Sequence, residues 1–391
     1  MSCVKKYNDY LIFIDNTKHL WKAIQIDNIY IERLFGVFNG FDITKVRNIS
    51  YLNFAPENVL KLVLCHMHLP LNYEINLADE TLIKINNSPN TFLWIVSFFE
   101  FFFAEDKLLN SINSRIIQEK KVILTTSNSN YKNKKIYNVK FTSINNFWWG
   151  FHRHVINHYP QTALIKPLEK YNNLKRAKKK FLCLNQNLKT HRIWTVYHIL
   201  KENAEKQGYL SCRFDLMIKL QKASVLAVWY SNINRLPDKD IAEKMSNGII
   251  LDRIKGNSVY RPENSIMSYY MKSLFSIITE SDVVEDFVTE KVYKAICCSH
   301  PFIIIGSKKY ITTLHSLGFQ TYEEIFGTSY IDNEHDFQRF VKKIKIMPLD
   351  VIKEKIVAVK NKVEYNYNHF LQTPLPFNQI IEDIYKVLEN E

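Results

Sequence analysis

The chain has 391 residues, with 52 Lys and Arg against 39 Asp and Glu, for a net charge of +13. Hydrophobic residues make up 46%, charged residues 23% and aromatic residues 14%, the balance of a globular protein with two domains or one large one. Its 9 glycines exclude glycine-rich repeats and long flexible linkers. The positive excess is either a basic solvated surface or an attraction for polyanions: nucleotide-sugar diphosphates, acidic glycans, anionic membranes or nucleic acids. Heavy use of Asn, Ile and Lys points to an AT-rich coding sequence, as in a virus or a low-GC microbe.

The N-terminal residues lack an apolar signal core. The most apolar stretch, Phe92 to Phe103, is too short for a bilayer span and carries Glu100, so it is read as a buried helix or strand and no transmembrane segment is expected. Cys3, Cys65, Cys183, Cys212, Cys297 and Cys298 form no Cys-x-x-Cys pair. They suit a reduced compartment, the cytoplasm or a host's cytoplasm if the chain is viral.

Residues 1–165 read as a first α/β domain. Strands are expected at Tyr10–Asp15, Lys121–Thr126 and Ile136–Thr142, with an apolar run of ambiguous type at Val59–His66. A basic stretch, 166–180, is expected to be an interdomain linker, with a nucleic-acid contact as the sharper alternative. Residues 181–375 read as a second α/β domain, opening with strand Phe181–Leu184. Thr190 is expected to cap a helix running to about Lys206, with Gly208 ending it. Its apolar face would be Ile193, Val196, Tyr197 and Leu200. Further strands are expected at Tyr209–Phe214, Leu274–Thr279 and Phe302–Ile305. Strands alternating with helices imply a parallel sheet covered on both faces. Residues 334–370 read as helical and charged, and the final helix, within 376–391, is expected to pack back on the first domain.

One segment stands out chemically. Glu280 ends an apolar strand, and Phe287-Val288-Thr289-Glu290-Lys291 opens the following helix. Another apolar strand then ends in Gly306-Ser307. Loops at the carboxyl ends of strands in an α/β sheet are where ligands bind, and this loop carries carboxylates and an ammonium that suit sugar hydroxyls and phosphates.

This pattern resembles the donor-binding motif of the fucosyltransferases of glycosyltransferase family 10. There a Phe-x-Glu-Asn-Ser-like segment precedes Tyr/Phe-Val-Thr-Glu-Lys and a short apolar strand ending in Gly-Ser. Ser281 stands where that family usually has Asn. The resemblance implies the GT-B architecture, two Rossmann-like α/β domains facing a cleft. The first domain would be the acceptor side and the second would bind the nucleotide sugar. It also implies a GDP-sugar donor, GDP-fucose or a similar one, and a glycan acceptor.

Sugar transfer needs a neutralised leaving diphosphate, a held sugar and a base for the acceptor hydroxyl. Arg192 and Lys291 are the candidates for the diphosphate. Each follows a strand end at the start of a helix, where backbone amides also favour an anion. The resemblance supports Arg192 through the similar segment 184–192. Glu290 would accept hydrogen bonds from ribose or sugar hydroxyls. Glu280 would hold the sugar or order the loop. Ser281, Val288 and Thr289 would line the pocket, and Lys272, Tyr269 and Tyr270 flank the base or simply pack.

The catalytic base is not assigned. Where the family has a carboxylate-bearing turn, residues 125–130 here have none, which leaves Glu100, Glu105 and Asp106 as loose candidates. His152, His154 and His158, next to Trp148 and Trp149, do not converge as metal ligands would. One of them is a candidate base or acceptor contact, and the Trp pair either stacks on a sugar or packs in the core. No phosphate loop or dinucleotide fingerprint occurs, and Asp238-Lys-Asp240 lies at an expected helix start. No metal site and no required cofactor are therefore expected beyond the nucleotide-diphospho-sugar, with at most weak divalent-metal stimulation. Two rival readings remain: a glycosyltransferase acting on modified DNA bases, and a non-catalytic nucleotide-sugar or glycan-binding protein. Oligomeric state is left open.

Overall fold

A computed structural model describes residues 9–14, 38, 41–66, 79–88, 90–97, 122–126, 135–136, 139–143, 149–150, 152–153, 156, 164–185, 188–219, 223–233, 235–249, 251, 264–280 and 288–389. The chain divides into two units, one of Met1–His154 with Pro374–Glu391, the other of Val155–Thr373.

The first unit is built on one sheet. Its strands are β1 (Asp9–Ile14), β2 (Val46–Asn48), β3 (Val59–His66), β4 (Thr91–Ser97), β5 (Val122–Thr126), β6 (Lys135–Ile136) and β7 (Val139–Ser143). They lie in the order β2-β1-β3-β4-β5-β7-β6, and the pairings are parallel except β6 with β7. Leu62, Val63, Leu93, Trp94, Ile95, Val96, Ile123 and Leu124 are all fully buried. Strands covered on both faces read as continuous apolar runs, which explains why Val59–His66 lacks alternation and is nonetheless a strand. The run expected at Ile136–Thr142 is instead the short antiparallel pair β6 and β7. Polar groups inside this sheet bond to each other: Trp94 Nε1 donates to Thr125 Oγ1 at 2.8 Å, and the hydroxyls of Thr125 and Thr142 lie 2.6 Å apart. Helix α1 (Asp79–Asn87) buries Leu82 and Ile85.

The second unit begins at Val155, ahead of the expected boundary at 165, and takes in the stretch read as a linker. Residues 166–180 are folded into it as α2 (Pro167–Asn172), a 3₁₀ turn (Leu174–Arg176) and the start of β8 (Lys179–Asn185). Pro at the first helical position suits α2, because its missing N–H would be unpaired there anyway. Lys170 is buried and donates to the carbonyls of Tyr270 and Ser273, while Lys180 donates to those of Ile344 and Lys345. These ammonium groups serve the fold rather than a solvated connection.

After β8 comes α3 (Thr190–Lys201), in which every residue from His191 to Leu200 is buried. The expected single apolar face is therefore a helix enclosed on all sides. It ends at Lys201, earlier than expected, because Asn203 turns left-handed (φ 54°) into a 3₁₀ turn at Ala204–Gln207. Its N-cap is Lys189, and the Thr190 hydroxyl accepts from Asn232 Nδ2 at 3.3 Å instead of capping. Gly208 has a packing reason: a Cβ there would lie 2.3 Å from the Phe181 ring. Strand β9 (Tyr209–Cys212) stops short of Phe214, which instead begins α4 (Phe214–Lys219).

The order continues with α5 (Ala223–Ile233), α6 (Lys239–Ser246), α7 (Asn264–Lys272), β10 (Ser273–Thr279), α8 (Glu290–Cys297), β11 (Phe302–Ile305), α9 (Lys308–Ser316), α10 (Glu323–Phe326) and β12 (Tyr330–Ile331). Three helices then run through the charged region: α11 (Glu334–Ile346), α12 (Leu349–Ala358) and α13 (Lys360–Gln372). The sheet order is β12-β11-β10-β8-β9, all parallel. Strands β10 and β11 are buried at every position. Each fully buried Ile or Phe there contributes about 1.5–3 kcal/mol. The chain finally returns to the first unit with α14 (Asn378–Glu389), whose Ile380, Ile381, Ile384 and Leu388 are buried. Among the described residues no helix is long and apolar enough to cross a membrane.

Candidate functional site

The order β12-β11-β10-β8-β9 has one reversal. From β8 the chain moves outward to β9, then returns to the other side of β8 for β10 and continues away through β11 and β12. The connections from β8 and β10 thus leave on opposite sides, and in doubly wound sheets the carboxyl ends of two such strands are the usual ligand position.

The strand ends at this point are tied together. Asn185, the last residue of β8, accepts from the Thr279 hydroxyl at 2.7 Å, and Thr279 is the last residue of β10. Glu280 follows and is completely buried. Its carboxylate accepts from Thr289 Oγ1 at 2.6 Å and from the Thr289 amide at 3.4 Å. Thr289 is the N-cap of α8, its hydroxyl accepting from the Lys291 amide at 3.4 Å. One buried carboxylate thereby joins the exit of β10 to the start of the next helix.

Lys291 lies at the edge of this cluster. Its Nζ donates to Thr289 Oγ1 at 3.0 Å and is 3.4 Å from a Glu290 carboxylate oxygen and 4.0 Å from one of Glu280. The ammonium is partly exposed, and Lys291 stands in the first turn of α8, where backbone amides favour an anion. Val288 is buried beside Thr289. Arg192, in the first turn of α3, is buried and donates Nη2 to the Glu280 carbonyl at 3.0 Å and more weakly to that of Thr279 at 3.5 Å. The neighbouring charges act on nearby groups. The Tyr293 phenol is driven up by burial and then by the Glu280 charge. Burial lowers the Lys294 ammonium against the opposing pull of Glu290.

The structure thus brings Arg192, Glu280, Val288, Thr289, Glu290 and Lys291 to one place, while Ser281 and Phe287 lie outside the described residues. Lys272, Tyr269 and Tyr270 do not join them. They precede β10, at the amino end of the strand whose carboxyl end carries the cluster, about 20 Å away for a strand of this length. Tyr269 donates to the Leu251 carbonyl at 2.6 Å and Tyr270 packs edge-on against His300. Sequence reasoning missed Asn185, Thr279 and His191, although all three sit at strand ends or a helix start beside the motif.

Elsewhere, Asp238 caps α6 through the amides of Asp240 and Ile241. His152 is buried in the first unit and Arg153 lies over the Trp149 ring at 5.5 Å. His154, His158, Trp148, Glu100, Glu105 and Asp106 lie outside the described residues. Among the described residues no three His, Cys, Asp or Glu side chains gather as metal ligands would. Burial pushes the thiols of Cys183, Cys212 and Cys298 up to about 12, leaving them unreactive.

No protein-family model matches the chain, and no curated protein matches it. Solved structures do align with it. A UDP-forming α,α-trehalose-phosphate synthase from Burkholderia xenovorans gives a TM-score of 0.41 at 10% identity, over 86% of this chain and 75% of that one. An α1,3-fucosyltransferase gives 0.37 at 14% identity, over 100% and 93%. An α1,3-fucosyltransferase with GDP-fucose gives 0.34 at 12% identity, over 100% and 94%. Scores and identities this low carry no inference about substrate or chemistry, which must come from the residues themselves.

Proposed function

We propose that the protein is a GT-B type glycosyltransferase. It would take a nucleotide-diphospho-sugar, a GDP-sugar such as GDP-fucose, and transfer the sugar with inversion to a glycan hydroxyl. The observation that carries this reading is the convergence of Arg192, Glu280, Thr289, Glu290 and Lys291 at the switch point of the second sheet, in the order that resembles the fucosyltransferase donor motif.

In this reading the diphosphate lies against the N-terminus of α8. Lys291 and the first-turn amides stabilise the charge that grows on it as the glycosidic bond breaks, and Arg192 adds a second positive charge at the switch point. Glu290 accepts from hydroxyls of the ribose or the sugar. The complete burial of Glu280 supports ordering of the loop over contact with the sugar.

A thermal-shift screen against GDP, UDP, CDP, dTDP and their sugars, with and without manganese, tests this. GDP and a GDP-sugar are expected to raise the melting temperature by mass action, and Lys291→Ala and Glu290→Ala to abolish the rise. An equal shift in both variants removes the site assignment, and no shift with any nucleotide removes the reading. The second reading, a nucleotide-sugar-binding protein without transfer, is favoured by the lack of a carboxylate at 125–130. GDP-sugar binding without release of GDP in the presence of glycan acceptors would select it.

A further inference from the structure

His191 lies immediately before Arg192 in the first turn of α3 and is buried. Its Nε2 is 2.7 Å from the Glu280 carbonyl oxygen. A carbonyl has no proton to give, so Nε2 carries the hydrogen and donates it. Arg192 donates to the same oxygen at 3.0 Å. Two consecutive side chains thus grip one carbonyl.

The position of that carbonyl gives the grip its meaning. α3 follows β8 and Glu280 follows β10, so both bonds cross the switch point from one half of the sheet to the other. The same residue holds Thr289, and through it the start of α8, by its carboxylate. The Glu280 amide donates to the Ile305 carbonyl at 3.3 Å, so the main chain of Glu280 is held on both sides of the Cα from which its carboxylate reaches Thr289. The backbone of His191 is itself braced, its carbonyl accepting from Thr195 Oγ1 at 2.6 Å.

We propose that His191 is a positioning residue for the donor site. With Arg192 and the Ile305 carbonyl, its Nε2–H holds the Glu280 main chain in place, and with it the Cα from which the carboxylate positions Thr289 and Lys291 at the nucleotide diphosphate. The ligand in this statement rests on the donor reading above; the positioning does not.

The test compares His191→Gln, His191→Asn and His191→Ala. A glutamine amide reaches as far as Nε2, whereas an asparagine amide falls short and alanine offers no donor. Two quantities are measured: the GDP dissociation constant by calorimetry, and hydrogen exchange of the first-turn amides of α8 by mass spectrometry. Loss of one buried donor is expected to weaken GDP about tenfold and speed exchange about tenfold in the Ala and Asn variants. The Gln variant should stay within about threefold of the parent in both. Parent-like values in all three, or a Gln variant as impaired as Ala, overturn the proposal, since His191 then only fills space. If the parent binds no GDP the donor reading fails, and exchange alone decides: rescue by Gln supports the positioning role, and unchanged exchange in the Ala variant ends it.

Discussion

Glu280 has no solvent exposure and is bonded through its carboxylate to Thr289. Removing it leaves a buried hydroxyl and amide with a lost partner, so Glu280→Ala is expected to cost about 2–3 kcal/mol in urea unfolding. Thr289→Ala removes a helix cap and should cost about 1 kcal/mol. Because the two groups meet, the double variant should be less destabilised than the sum by about 0.5 kcal/mol or more. Strict additivity would mean that the contact contributes nothing. The residues of this cluster that were legible beforehand, Arg192, Glu280, Thr289, Glu290 and Lys291, are charged or polar groups beside apolar strands, where a sequence shows them plainly. His191 was not legible. It meets Glu280 from 89 residues away, and only the pairing of β8 with β10 brings them together.

At the scale of the element, charge counting misled where apolar runs did not. Strands such as Phe302–Ile305 are apolar throughout because neighbours cover both faces, and nothing else accounts for such a run beside a glycine turn. The basic stretch 166–180 looks solvated because sequence records charge but not where each ammonium ends. Lys170 ends between two carbonyls of α7 and β10. Its burial pulls the pKa down to about 7 from an ordinary 10.5. The folded protein then releases this proton near neutrality, while the unfolded chain keeps it until about 10.5. Between these values the unfolded state binds the extra proton, so the contribution of Lys170 to stability rises with pH; below the window the penalty is constant, and above it there is none. Parent stability relative to Lys170→Met is expected to improve by roughly 1–2 kcal/mol between pH about 7 and about 9. A flat difference across that range would show that the ammonium stays charged in the fold.

At the scale of the molecule, both sheets carry the same reversal, β2-β1-β3 in the first unit and β9-β8-β10 in the second. The second is where Arg192, Glu280, Glu290 and Lys291 meet, the place given to the nucleotide sugar in the proposed function. The two units have separate cores, so scanning calorimetry is expected to resolve two transitions, with GDP raising only that of the second unit. Deleting residues 374–391 should lower the transition of the first unit, because Phe377 packs on the rings of Tyr10 and Phe41 at 6.3 and 5.1 Å and α14 buries its isoleucines there. A deletion that moves only the second transition would overturn this division. The alternation of strand and helix was readable in part of the second unit, at β8, α3, β9, β10 and β11, and to a smaller extent in the first, where Val59–His66 lacks the period of either. The path of the chain was less so, since only the expected return of the last helix pointed to it.

That path has a consequence during synthesis. The second unit, Val155–Thr373, is one unbroken stretch, whereas the first is closed by residues translated after it. During synthesis the second unit therefore has all its parts first. The half begun earliest waits, its sheet without α14, until Leu388 has emerged. Nascent chains cut after Thr373 and held on the ribosome by an unstructured extension that brings Thr373 outside it would resist protease in the later-made unit and remain cleavable in the earlier one.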